Sequence, residues 1–497
     1  MTRLQPVQGA LIAASAGALT VYAFAPWRLW PLILISLVIL LRLVQAQPAR
    51  AFSWAYWWGL ASFSANFYWI YYSLHDVAGL PSWIAAPMVA LLPAWLALFP
   101  ALAVWASVRG PFGSAYWRWG VAFPALWVLM EWLRATVFTG FPWASLGYSQ
   151  IPNTPLAHLA PLGGIYAVSA AVALTAGLLS QLRQPSFVAW RWPVIVLLGL
   201  WGGSSLSGQY TWTHPVGAPT TVSLIQGNIP QSLKWEESAY ASTLQQYGQQ
   251  ILSAKGELIV LPETAFPVFF DQLPADYLAF LRQHLNQRQQ TLLTGAVLQT
   301  PQGGYVNAAL SLHQPQLYYA KNHLVPFGEF IPLPAITGWI YQQMNMPLSG
   351  FTRGGDNQPP LTLANQKIAV NICYEDGFGD ELRGSAAQST VLANLSNLAW
   401  FGHSAAAEQQ LQLSQARALE SGRPMLRATN TGATAIVSAS GHIQAQLPAF
   451  TTAILEDRIQ GYQGQTPYMR WGDSVVLSLS GLALLISGLR HRRASTL

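Results

Sequence analysis

Cys373 is the only cysteine in the 497-residue chain, and it stands in KIAVNICYEDGF (367–378) with Tyr374, Glu375 and Asp376 directly behind it. A lone thiol forms no disulfide within its own chain. It is either a small buried hydrophobe, a role free cysteine fills well, or a nucleophile. Two other runs carry side chains that would complete a nucleophilic site. Glu263 follows LIVLP, and Lys321 ends PQLYYAK, with Glu329 further on in NHLVPFGEF. A carboxylate can take the thiol proton as general base and return it to a leaving group. An ammonium favours thiolate and stabilises an oxyanion. Each residue alone also has a plainer reading: Glu263 as an acid at a strand end, Lys321 as a solvated loop charge.

The elements that would position these groups lie between residues 219 and 471. Short runs there read as strands: TTVSLIQ (220–226), ELIVLPE (257–263), TLLTGAVL (291–298), YVNAALSL (305–312), KIAVNIC (367–373), TVLANLS (390–396), TAIVSAS (434–440) and TTAIL (451–455). Several are apolar throughout, the pattern of sheets covered on both faces. Residues 236–253, 274–288 and 404–421 read as helices, the last stopped by Gly422 and Pro424. This predicts an α/β domain, and ligand sites in such domains gather at the carboxyl ends of strands. Glu263 and Cys373 both end predicted strands.

The rest of the chain belongs to a different solvent. Hydrophobic residues make up 52% of the sequence and charged residues 9%, with 22 Trp, against about 25% charged in ordinary soluble domains. Residues 219–471 hold 13 Lys/Arg against 16 Asp/Glu, a balance of −3; the remainder holds 12 against three, a balance of +9. No basic patch beside exposed aromatics marks the polar part, so nucleic acid is not an expected partner. Apolar runs near 8–26, 29–46, 54–73, 82–107, 117–138, 158–181, 187–206 and 472–489 are each of about the 20-residue length that crosses a bilayer. The first runs on into further spans, so it reads as an uncleaved helix rather than a signal peptide. Eight spans put both termini on one side, together with Arg3, Arg42, Arg50, Arg109, Arg118, Arg183, Arg191, Arg490, Arg492 and Arg493. The positive-inside rule makes that side the cytoplasm. Expected domains are therefore 1–206 (membrane), 219–471 (outward-facing) and 472–497 (last span and basic tail).

Other chemistries find no support. The nine histidines form no HExxH and no Cys/His cluster. There is no GxSxG elbow and no GxxxxGK[ST] phosphate loop. Glu131 and Arg134 lie three apart within a predicted span, where an acid is a functional candidate by default; a structural i, i+3 pair is the preferred reading. His75 and Asp76 fall at an interface.

LPETAFP, YAKNHLVPFGEF and NICYEDGFG together resemble the three signatures of the carbon–nitrogen hydrolase (nitrilase) superfamily. With the spans, IQGNIPQSLKW and ALESGRPMLRATNTG, nearly the whole chain resembles the membrane-bound bacterial apolipoprotein N-acyltransferases of that superfamily. The resemblance implies an αββα sandwich joined to an eight-helix membrane domain. It implies Glu263 as general base, Lys321 as oxyanion stabiliser and Cys373 as nucleophile. By the same matching, Glu329 positions the lysine, and Tyr374, Glu375, Asn307 and Trp235 support the site. The implied reaction moves an acyl chain from a phospholipid to Cys373, then to the α-amino group of an S-diacylglyceryl-cysteine at an apolipoprotein N-terminus. No cofactor or metal is required. The expected partners are phospholipid, diacylglyceryl apolipoprotein and the bilayer of the bacterial inner membrane; the expected state is a monomer with a periplasmic catalytic domain.

Two further expectations concern substrate access and class. LPAITGWIYQQMNMPLSGF (333–351) reads as loop-like, with Ile336, Trp339, Ile340, Tyr341, Met344, Met346 and Phe351. It is either a core helix or a lid at the membrane surface, where aromatic and apolar residues partition well. A membrane-tethered amidase using water as acceptor, or a transporter carrying an inactive outer domain, are the competing classes.

Overall fold

Alternation along each strand decides which side chains meet in the polar half of the chain. Twelve strands form two six-stranded sheets. In chain order they are β1 (Thr220–Gln226), β2 (Leu258–Val260), β3 (Thr291–Gln299), β4 (Tyr305–Ser311), β5 (Tyr318–Ala320), β6 (Leu361–Leu363), β7 (Gln366–Ile372), β8 (Val391–Ser396), β9 (Met425–Thr429), β10 (Ala435–Val437), β11 (Ile443–Gln446) and β12 (Ala453–Ile459). The first sheet runs β12-β1-β2-β3-β4-β5 and the second β11-β10-β9-β8-β7-β6. In each, three of the four inner strands are parallel, as Val222↔Leu258 and Leu258↔Thr291 show in one and Ile368↔Val391 and Leu392↔Met425 in the other.

Odd and even residues then part company. Val222, Leu224, Leu258, Val260 and Leu293 of the first sheet share one core with Ile368, Val370, Ile372, Val391, Ala393 and Leu395 of the second. Ile225, Ile259 and Leu292 point the other way, against Leu244, Tyr247 and Ile251 of helix Glu237–Ser253 and Leu278, Leu281 and Leu285 of helix Ala275–Gln287. Ala369, Leu392 and Met425 likewise meet Leu382 of helix Gly379–Ala386 and Leu411 and Ala418 of helix Ala406–Ser421. The result is an αββα sandwich. Both faces of the inner strands are largely buried, so most of them read as nearly continuous apolar runs. Gly422 closes the last helix in the left-handed conformation, φ +58, which a side chain would disfavour.

The computed structural model describes residues 5–182, 187–301, 303–341 and 350–495. Chain contacts divide it into Met1–Tyr68 with Ala86–Thr211 and Arg470–Leu497, and Trp69–Ala85 with Trp212–Met469. The sandwich lies in the second unit, together with the short segment 69–85. Trp69 is buried there, edge-on to Phe401 at 4.7 Å, and donates to Gln409 Oε1 at 3.2 Å.

The first unit is helical. Among the described residues four helices are long and apolar enough to cross a membrane: Pro6–Ala23, Ser82–Arg109, Pro155–Ser180 and Ser474–His491. This is fewer than the eight spans expected. Pro31–Ala46 is apolar but shorter. Ala51–Phe67 is rich in Trp and Ser and stops at Phe67, and Phe123–Arg134 begins only after a π-helical turn at Arg118–Ala122. Glu131 accepts from Trp127 Nε1 (2.9 Å) and from the Leu146 N–H (2.8 Å). Arg134 donates to the carbonyls of Phe141 and Trp143 and to Ser145 Oγ. Both side chains therefore tie down the 141–146 loop, a structural role.

Candidate active site

Three strand ends converge on one cluster. Lys321 directly follows β5, Glu263 lies three residues beyond β2, and Cys373 directly follows β7. Lys321 is 1% exposed. Its Nζ donates to Glu329 Oε1 at 2.9 Å and lies 3.6 Å from Glu263 Oε1. Asn307, on β4 beside β5, donates its amide to both carboxylates, at 2.8 Å to Glu263 and 3.1 Å to Glu329. The second Glu263 oxygen accepts the Asn397 N–H at 2.9 Å. The carboxylate is thus fixed from two sheets. Gly295 of β3 makes room for it: a Cβ there would stand 2.6 Å from Glu263 Cα and from the Thr264 nitrogen.

Burial works against the Lys321 ammonium, but Glu329 and Glu263 outweigh it and hold its pKa above the ordinary lysine value. The ammonium is therefore a fixed charge. Burial pushes the Cys373 thiol up to about 12, with Glu263 adding to the rise and Lys321 opposing it. A resting thiolate does not follow from Lys321 alone, because two carboxylates crowd the same space. The group is a thiol that ionises when its proton moves to a base.

Cys373 itself sits at φ +55, a left-handed conformation that non-glycine residues adopt at some cost and that clusters at functional sites. Its carbonyl is held by Gln410 Nε2 at 2.6 Å and by Asn394 Nδ2 at 3.4 Å. Asn394 Oδ1 in turn accepts from Arg427, which pairs with the buried Asp376 at 2.6 Å. This polar network under the elbow over-determines a strained turn.

Glu375 joins that elbow to the loop after Lys321. Its carboxylate accepts the N–H groups of Asn322 (2.7 Å), His323 (3.0 Å) and Ile372 (2.6 Å), and the Tyr319 hydroxyl at 2.9 Å. Burial raises it to about 7, against the pull of Lys321 and those N–H donors. It is a positioning group. Tyr374 is buried and edge-on to Phe378 and His323. Trp235 is half-buried on the turn preceding helix Glu237–Ser253.

The structure thus brings Glu263, Lys321, Glu329 and Asn307 into direct contact, with the Cys373 thiol in the field of the two carboxylates and Lys321. The supposed lid is different. Pro334–Tyr341 is a helix, not a loop, opened by proline at its first turn. Trp339 is 59% exposed, so it is not a core residue. The side chains of Ile336, Ile340 and Tyr341, and the whole of Met344 and Met346, lie outside the described residues. Phe351 packs edge-on to Tyr305 at 4.7 Å.

Sequence reasoning missed Asn397, Gln410, Arg427 and Lys234. Lys234 is buried beside Glu263 (see below), and its only local signal was its place in IPQSLKW. Among the described residues no group of three His, Cys, Asp or Glu is placed to hold a metal ion.

Residues 16–178 match the family model described as the apolipoprotein N-acyltransferase N-terminal domain, and residues 221–468 match that of carbon-nitrogen hydrolases. The apolipoprotein N-acyltransferase of Chromobacterium violaceum is 52% identical over 97% of this chain and 94% of its own length. Those of Nitrosomonas europaea and Neisseria meningitidis are 46% and 45% identical, covering 96% and 94% of this chain and 97% and 94% of their own. Relatives this similar over nearly the whole chain show the family: the chain belongs to the apolipoprotein N-acyltransferase family.

Proposed function

We propose that the protein transfers an acyl chain from a phospholipid to the α-amino group of the N-terminal S-diacylglyceryl-cysteine of apolipoproteins, through a thioester on Cys373. The observation that carries this reading is the buried Glu263–Asn307–Glu329–Lys321 cluster at the strand ends, facing the strained Cys373. Glu263 takes the Sγ proton as the sulfur attacks the ester carbonyl. Lys321 donates to the oxyanion that forms there. Collapse expels the lysophospholipid oxygen, which takes the proton back from Glu263, and the acyl group stays on sulfur. The α-amine of the second substrate then attacks the thioester and gives its proton to Glu263. Collapse releases the thiolate, which recovers that proton. Two substrates used in turn around a covalent intermediate imply ping-pong kinetics.

The four membrane-length helices fit substrates that arrive through lipid. In this reading the chain crosses the bacterial inner membrane eight times, with both termini cytoplasmic, residues 219–471 periplasmic, and the protein acting as a monomer. The test supplies purified protein with phospholipid and a diacylated lipopeptide. An N-acyl lipopeptide is the expected product. Release of free fatty acid with no N-acyl product would assign the site to a hydrolase instead.

The 333–351 segment admits lipid rather than taking part in the chemistry. It leaves the site just after Glu329, and on its return the N–H groups of Gly350 and Phe351 bond the Glu329 carbonyl. Leu333 and Trp339 are exposed. Core replacements would cost roughly 2–5 kcal/mol, so Trp339→Ser with Met344→Ser should leave the melting temperature nearly unchanged. Acylation by long-chain phospholipid should slow while a small water-soluble thiol reagent reaches Cys373 at its former rate. A large thermal shift would return the segment to the core.

A further inference from the structure

Lys234 is a buried ammonium without a counter-ion of its own. It is 4% exposed, and its Nζ donates to Thr264 Oγ1 at 2.6 Å and to the Glu263 carbonyl at 3.2 Å. Among the described residues it makes no salt bridge. Taking an ion out of water costs several kcal/mol unless something nearby compensates, so a charge at this place needs a reason. The backbone it grips supplies half of one. Thr264 sits at φ +42, strained for a β-branched residue, and that turn aims the Glu263 carboxylate at the cluster.

Charge supplies the other half. Glu263, Glu329 and Lys321 together carry a formal −1, in the space where a further negative charge must form on Cys373. Lys234 brings the set to zero. Glu263 and Cys373 are also the two groups whose charges act on Lys234. Lys321, Glu329 and Glu375 lie around the same cluster. Glu236 and Glu237, next to Lys234 in sequence, are exposed to solvent.

We propose that Lys234 is a second cation of the catalytic centre, a positioning residue that holds the Glu263–Thr264 turn and balances the charge appearing on Cys373 as its proton passes to Glu263. The proposal rests on the thiol chemistry proposed above. It gives the centre a division of labour: Lys321 serves the substrate oxyanion, and Lys234 serves the resting pair. Burial lowers Lys234 to about 8, against the opposing pull of Glu263 and Cys373. The charge is therefore present at neutral pH and lost as pH rises through about 8. An arginine in its place would stay charged throughout.

The test uses the full-length protein in detergent with two probes. One is iodoacetamide, which reports the thiolate at Cys373 without any lipid chemistry. The other is dipalmitoyl phosphatidylglycerol, whose headgroup does not titrate near neutral pH, with the acyl adduct read by intact mass. In the wild type, adduct formation should fall as pH rises through about 8, and in Lys234→Arg this fall should be absent. Lys234→Met should slow alkylation about tenfold at neutral pH, the equivalent of a one-unit rise in the thiol pKa, and Lys234→Arg should restore it. Superimposable alkylation profiles in all three proteins, or an alkaline fall that persists in Lys234→Arg, would overturn the assignment. Should Lys234→Met not fold, the wild-type and arginine pair decides alone. A wild type that never takes up an acyl group defeats the proposed function instead, and the iodoacetamide profiles still decide whether Lys234 acts on the thiol.

Discussion

Cys373→Ala should take up no acyl group from phospholipid, and Cys373→Ser should lose nearly all turnover. The wild-type gain in mass should equal one acyl chain and map to the peptide containing Cys373, the single thiol of the chain. Alanine removes the only atom that can carry the thioester. Serine keeps the shape but offers a hydroxyl far less ionised and less nucleophilic than a thiol. The strained turn should tolerate both, because φ +55 at residue 373 is held through its carbonyl by Gln410 and Asn394, not through its side chain. Melting temperatures close to wild type are therefore expected. Acyl transfer near the wild-type rate in Cys373→Ala would remove the cysteine from the chemistry altogether.

Glu263→Gln and Lys321→Met should each reduce acylation by orders of magnitude. Loss of one oxyanion donor typically costs about 10²–10³ in rate, and that is the minimum expected for Lys321→Met. Like Arg427, Lys321 is also a cation that opposes the rise in the thiol pKa. Its removal should push the thiol higher still and slow alkylation at neutral pH. It further strands the Glu263 and Glu329 carboxylates in a buried site, and breaking a buried pair typically costs about 3–5 kcal/mol, so a lower melting temperature is expected. Glu263→Gln acts differently. Both carboxylate oxygens accept from donors, Asn307 and the Asn397 N–H. A glutamine amide satisfies one and turns an N–H₂ toward the other, at about 1–3 kcal/mol for the group left unsatisfied. Its main loss is the proton acceptor. Acylation that proceeds at the wild-type rate in either variant would show that the proton or the oxyanion is served by another group.

Sequence alone determined the strands that carry this site, and the reason is local. β1 is TTVSLIQ, and β7 ends one residue short of the predicted strand 367–373. Inner strands covered on both faces are mostly apolar, so a short apolar run between turn residues marks them; the inner strand β9 escaped this reading because the buried Arg427 and Thr429 interrupt its apolar run. Helices Glu237–Ser253 and Ala406–Ser421 were legible for a similar reason: an apolar stripe in one, and the Gly422–Pro424 stop after the other. The edge strands β6 and β11 were not legible. Their burial is mixed, and β11 alternates half-buried and exposed residues, so three or four positions give no periodic signal. The described residues hold four helices of membrane-crossing length against eight apolar runs in the sequence, because apolar length alone does not reveal where a helix stops, as at Phe67, beyond which Trp69 is buried against Phe401.

The candidate residue types were legible because a lone thiol, a strand-end acid and a lysine make a coherent chemistry. Their mutual arrangement was decided only by the tertiary structure. Glu263 meets Asn307 across 44 positions and Asn397 across 134. Glu375 reaches the Asn322 N–H from 53 positions away, and Arg427 reaches Asp376 from 51. Lys234 looks like any surface lysine until the β2 end, 29 residues later, closes over it. A residue's type and its near neighbours fix propensity and periodicity. Whether a polar group is buried, and which charge it then answers to, depends on partners that only packing brings within hydrogen-bonding distance.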